Sequence, residues 1–96
     1  MPSYRVTLRL GRFIAPIAPQ DVQPRIREAC AEVATVEACD IALERGMPVV
    51  VTRFTGLSDA EAVSVGVHTR DSAANFCVVE HAAVTKRVRN RWLPIS

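Results

Sequence analysis

Glu37 to Phe54 constrains the fold of this chain more than any other stretch. It reads Glu-Ala-Cys-Asp-Ile-Ala-Leu-Glu, then Arg45-Gly46, then Met-Pro-Val-Val-Val-Thr-Arg-Phe. Two strand-forming runs on either side of a short Gly-containing turn are the local signature of a β-hairpin. Side chains alternate along a strand, so Cys39, Ile41, Val50, Thr52 and Phe54 fall on one face. Asp40, Ala42, Val49, Val51 and Arg53 fall on the other. The first face suits a core. The second suits solvent or a partner.

Tyr4 to Leu10 is a second strand, with Tyr4, Val6, Leu8 and Leu10 alternating with Arg5, Thr7 and Arg9; Gly11-Arg12 ends it. Phe13 to Pro19 is apolar but holds two prolines, Pro16 and Pro19, and reads as a loop lying on the core. Asp21 is placed to cap a helix that carries Pro24 in its first turn. Its apolar stripe is Val22, Ile26, Ala29, Cys30 and Val33.

Ser58-Asp59-Ala60-Glu61 is a capping box, in which serine and glutamate satisfy backbone amides at a helix start. Val63, Val65 and Val67 then alternate as in a strand. The cap decides for a helix, whose buried face is Ala62, Val65, Gly66, Thr69, Ala73 and Phe76. A glycine there costs about 1 kcal/mol relative to alanine, which suggests that Gly66 permits close packing on a sheet. From Val78 the chain turns β again. Val84–Val88, Arg89-Asn90-Arg91 and Trp92–Ile95 read as a hairpin whose three-residue loop sets Val88 opposite Trp92. Pro94 marks an edge.

The order strand, helix, strand, strand, helix, strand predicts a ferredoxin-like βαββαβ two-layer sandwich. Its antiparallel sheet carries both helices on one face and a short extra C-terminal strand. Residues 1–96 are read as one α+β domain, with the first and third strands central.

The net charge of +2 is too small to imply nucleic acid by itself. Eleven arginines against the single Lys86 fit the compositional bias of a GC-rich bacterial genome. Three cysteines, Cys30, Cys39 and Cys77, form no CxxC pair. With no signal peptide, they point to a reducing cytoplasm. No apolar run reaches the ~20 residues of a membrane span, so no membrane partner is expected. No pair among the cysteines, His68 and His81 has ligand spacing on one element, and no metal or cofactor is expected. Cys77 and His81, beside Glu80, would pair as nucleophile and base only on a helix, and a strand is expected there.

Two surfaces carry the functional reading. On the outward sheet face, Arg5, Thr7, Arg9 and Arg53 surround Val49 and Val51. An apolar patch rimmed by charge suits a protein partner, most simply a second copy. The expected function is therefore a small interaction or accessory module that self-associates through this open face. The first alternative is nucleic-acid binding by the C-terminal hairpin. There Lys86, Arg87, Arg89 and Arg91 could meet phosphates and Trp92 could stack a base.

The second alternative starts at Met1-Pro2, where removal of the methionine would leave Pro2 as a free secondary amine heading a strand. With Gly11-Arg12 at the strand's end, this resembles the start of the tautomerase superfamily of the oxalocrotonate tautomerase type. The resemblance implies an enzyme with Pro2 as base and Arg12 as binder of an oxo acid. Such a base needs an amine pKa lowered by an apolar pocket.

Overall fold

In a computed structural model describing all residues from Met1 to Ser96, the alternation of the first strand sets the sheet. Tyr4, Val6, Leu8 and Leu10 of β1 (Ser3–Phe13) are buried, while Arg5, Thr7 and Arg9 keep partial exposure on the opposite face. β1 pairs antiparallel with β3 (Met47–Thr55) on one side and with β4 (Cys77–Val88) on the other. β2 (Thr35–Glu44) lies outside β3, and β5 (Arg91–Pro94) lies outside β4. The five strands thus run in the order β2-β3-β1-β4-β5. Helices α1 (Val22–Ala31) and α2 (Asp59–Ala73) touch each other and cover one sheet face. The protein is α+β, consistent with a two-layer sandwich.

One buried cluster joins the layers: Tyr4, Val6, Leu8 and Leu10 with Val50, Phe54 and Val84 from the sheet, and Val22, Ile26, Cys30, Ala62 and Val65 from the helices. The hydrophobic stabilisation lies here, at about 25 cal/mol per Å² of apolar surface removed from water. Tyr4 and Phe54, cross-strand neighbours, stack at 5.8 Å between ring centroids.

The local rules explain most boundaries. Arg45 (φ 54°) and Gly46 (φ 80°) form the two-residue turn between Glu44 and Met47, with the left-handed pair of a type I′ hairpin. Ser58 Oγ accepts from the Glu61 amide at 3.1 Å, and Glu61 Oε2 accepts from the Leu57 amide at 3.2 Å. The Ser58 cap therefore forms, with the Glu61 carboxylate reaching the Leu57 amide instead of that of Ser58, and residues 62–70 are helical. Ala62, Val65, Gly66, Thr69 and Ala73 are buried, as the helical reading requires; Phe76 is buried too but lies beyond the end of α2. A Cβ on Gly66 would stand 2.5 Å from Val84 Cγ2, so glycine is what lets α2 settle onto β4.

Several expectations are corrected. β1 continues past Gly11-Arg12 to Phe13, with irregular register against β4 after Arg9. Asp21 makes no side-chain cap, because the chain enters α1 through a 3₁₀ turn (Pro19–Asp21) that leaves Asp21 already in a helical conformation. Val33 lies beyond α1 and is exposed. Ile41 pairs with Val50 on the helix-side face, yet it is 41% exposed, because the β2–β3 hairpin projects past the helical layer. The last hairpin has a two-residue loop, pairing Val88 with Arg91 and Arg87 with Trp92. No helix is long and apolar enough to cross a membrane.

Candidate interaction surface

The uncovered sheet face is built by residues in direct cross-strand register. Arg5 faces Arg53, Thr7 faces Val51, and Arg9 faces Val49. The six residues expected to form one surface are therefore contiguous. Val49 is almost fully buried and Val51 partly so, which makes Val51 the more accessible apolar centre.

Two glutamates of β2, not singled out by sequence pattern, organise the arginines. Glu44 Oε2 stands 3.1 Å from Arg9 Nη1. Glu37 Oε1 accepts from Ser3 Oγ at 2.8 Å and stands 3.4 Å from Arg53 Nε. That second contact is an ion pair without hydrogen-bond alignment, so the buried Arg53 Nε has no directed partner. Glu37 reaches this face because β2 shifts register between Val36 and Ala38. Such an irregularity re-aims a side chain that strict alternation would send elsewhere. Thr7, Arg9, Asp40, Ala42, Glu44, Val49 and Val51, together with Ile41 at the strand edge, line a shallow concavity of about 380 Å³.

The C-terminal basic residues separate. Arg87 and Trp92 are cross-strand partners, and Arg87 shares the open face with Arg5 through the alternation of β4. Trp92 lies over this face, with its ring centroid 4.0 Å from Arg5 Cζ and 5.5 Å from Arg53 Cζ. Lys86 points the other way. Its Nζ lies 3.1 Å from Asp59 Oδ1 and 6.0 Å from the Tyr4 ring, which makes it part of the contact between sheet and α2. Arg89 occupies the turn at φ 59°, and Arg91 is exposed on β5. The four cations therefore do not form one basic patch.

The shorter loop explains why Trp92 stands on the open face. Moving a strand by one residue sends every side chain to the opposite face. Pairing with Val88 would have turned Trp92 toward the helices; pairing with Arg87 puts it on the open face. This joins the two surfaces expected to be separate into one: Arg5, Arg53, Arg87 and Trp92 beside Thr7 and Val51.

Pro2 and Arg12 are both exposed, at opposite ends of β1, and the Pro2 carbonyl accepts from the Gly56 amide at 3.2 Å. Ten residues of strand separate them by roughly 33 Å at about 3.3 Å per residue. One chain therefore cannot hold a small oxo acid between them. Cys77 and His81 share β4, roughly 13 Å apart by the same rise, and are not a nucleophile–base pair. The open face brings together cations, an aromatic plane and apolar side chains. Searches against protein-family models, curated proteins and solved structures return no match to this chain.

Proposed function

We propose that this chain is a ferredoxin-like interaction module of the cytoplasm that binds a protein partner, most simply a second copy, through its open sheet face. The reading of the fold is supported by the run β2-β3-β1-β4, all antiparallel, with a helix following β1 and another following β3. The cytoplasmic reading rests on three unpaired buried thiols.

The observation that carries the function is the placement of Trp92 over Arg5 and Arg53. Tryptophan and arginine are, with tyrosine, the side chains most enriched at the energetic centres of protein interfaces. Here they adjoin Val51 and Thr7 on a surface that no helix covers. The test is light-scattering mass in solution. Arg5→Glu combined with Val51→Asp is expected to give a smaller assembly than the wild type; an unchanged mass counts against self-association through this face.

Trp92 also favours a second reading, binding of single-stranded nucleic acid. Its placement supplies the aromatic that β1 lacks on this face, next to arginines suited to phosphates. Titrating an oligonucleotide at two salt concentrations, followed by Trp92 fluorescence, decides it. Absence of quenching, or of a salt slope, ends this reading.

A further inference from the structure

The sheet has two unequal edges. β5 spans only Arg91–Pro94 and includes a proline, the usual protection against further strand pairing. β2 is protected only by the irregularity between Val36 and Ala38 and by its acidic side chains. It is ten residues long, lies at the edge of the sheet, and contains neither proline nor lysine. Its outward backbone groups have no strand partner, and the one at Cys39 is met by the Gln23 side chain of α1, whose Nε2 donates to the Cys39 carbonyl and would have to give way along the ladder. On the helix-side face of its projecting half, Ile41 is 41% and Leu43 72% exposed.

We propose that β2 pairs antiparallel with β2 of a second copy about a two-fold axis through Ile41, joining two five-stranded sheets into one continuous sheet. Side-chain chemistry selects this register. The two-fold requires antiparallel, self-complementary pairing. A register that sets odd positions opposite even ones would mix the apolar face of Cys39, Ile41 and Leu43 with the open-face positions Asp40 and Ala42. Centring on Asp40 opposes Asp40 to its own copy. Centring on Ala42 opposes Asp40 to Glu44.

Centring on Ile41 sets Ile41 against Ile41, Cys39 against Leu43, Asp40 against Ala42 and Ala38 against Glu44. No acid then faces an acid. Ile41 and Leu43, left uncovered by the helices, then gain apolar neighbours across the axis. This register also pairs the whole regular run Ala38–Glu44, which begins immediately after the irregularity between Val36 and Ala38. Glu44 and Glu37, at the ends of the ladder, already lie in ion pairs with Arg9 and Arg53. The concavity lined by Asp40, Ala42, Val49 and Val51 adjoins the same edge, so pairing would bring two such concavities together across the axis.

This edge interface is independent of the open face, and the experiment separates them. Mass is measured in the chain carrying Arg5→Glu and Val51→Asp, whose face is disabled. The expected species is a dimer of the 10.5 kDa chain, and adding Ile41→Arg should convert it to monomer. A monomer before Ile41→Arg is added, or a dimer that survives it, overturns the proposal. Register is read separately in the otherwise wild-type chain. Ile41→Cys should give a covalent dimer on mild oxidation, whereas Glu44→Cys, far from its own copy, should not. Equal crosslinking at both positions, or none at Ile41→Cys, also overturns it.

Discussion

Trp92 reaches from the edge strand β5 across β4 to lie 4.0 Å from the Arg5 guanidinium on β1. Arg5 and Arg53 are directly opposed on neighbouring strands, an arrangement that costs free energy by like-charge repulsion. The indole partly offsets that cost, because a cation over an aromatic face gains about 0.5–1 kcal/mol at an exposed site. Trp92 is the only tryptophan, so its emission reports on this face alone. Arg5→Ala is expected to expose the ring, with red-shifted emission, faster acrylamide quenching and a stability loss of up to about 1 kcal/mol. Quenching that stays at the wild-type rate would show that the pair does not persist in solution.

Gly66 tests the contact between α2 and the sheet. Alanine should gain about 1 kcal/mol in an ordinary helix interior. Here its Cβ would meet Val84 Cγ2 at 2.5 Å, and overpacking of this kind costs about 1–3 kcal/mol. Gly66→Ala is therefore expected to lower stability in urea unfolding by up to about 2 kcal/mol. Combining it with Val84→Ala should cost less than the sum of the two single changes, the sign of direct contact. A Gly66→Ala chain more stable than the wild type would refute the close packing.

These two contacts differ in how far the sequence discloses them. Gly66 is legible because its cost within a capped helix needs a compensating reason, and the buried face that includes it follows from helical spacing. The Glu37–Phe54 hairpin is legible because Arg45-Gly46 fixes both turn and register. Trp92 is not, because the loop Arg89-Asn90 differs by one residue from the expected one, and in a strand that difference reverses the face. Ile41 shows another limit. Periodicity assigns it correctly to the helix-side face, but how far the helices extend over that face depends on tertiary geometry. Glu37 escapes pattern reading altogether, since its orientation comes from a break in the pattern.

Buried thiols give a third prediction. Burial pushes Cys30 up to about 11 and also raises Cys77. The thiolate is the reactive form, so both should resist alkylation in the folded chain at neutral pH. Labelling followed by mass spectrometry should show both modified at the rate of unfolding. It should accelerate in variants such as Gly66→Ala that weaken the fold. Rapid modification of Cys30 in the native protein would mean that the α1–sheet contact opens locally.

Tyr4, Asp59 and Lys86 give the fold a defined pH response. The Tyr4 hydroxyl donates to Asp59 Oδ1 at 2.8 Å, and Lys86 Nζ stands 3.1 Å from the same oxygen. Burial, with help from the hydrogen bond to Asp59 and the charges of Asp59 and Glu61, pushes the phenol up to about 12. The folded state thus keeps a proton that the unfolded chain releases near 10, and stability should fall as pH rises from about 10 to about 12. Cys30 adds an earlier fall between about 9 and about 11. Tyr4→Phe should therefore flatten the upper part of the alkaline limb and leave the lower part. Tyr4 is the only tyrosine, so phenolate absorbance follows it without overlap. Asp59 moves oppositely: the Tyr4 hydrogen bond, then Lys86, lowers its pKa below the usual 3.8. Its contribution is complete above that value and is lost as pH falls through the folded-state pKa. Asp59→Asn should lessen the acid-side dependence in pH-resolved urea unfolding. A phenol that titrates near 10 while the chain remains folded would contradict the burial of Tyr4 and its hydrogen bond to Asp59.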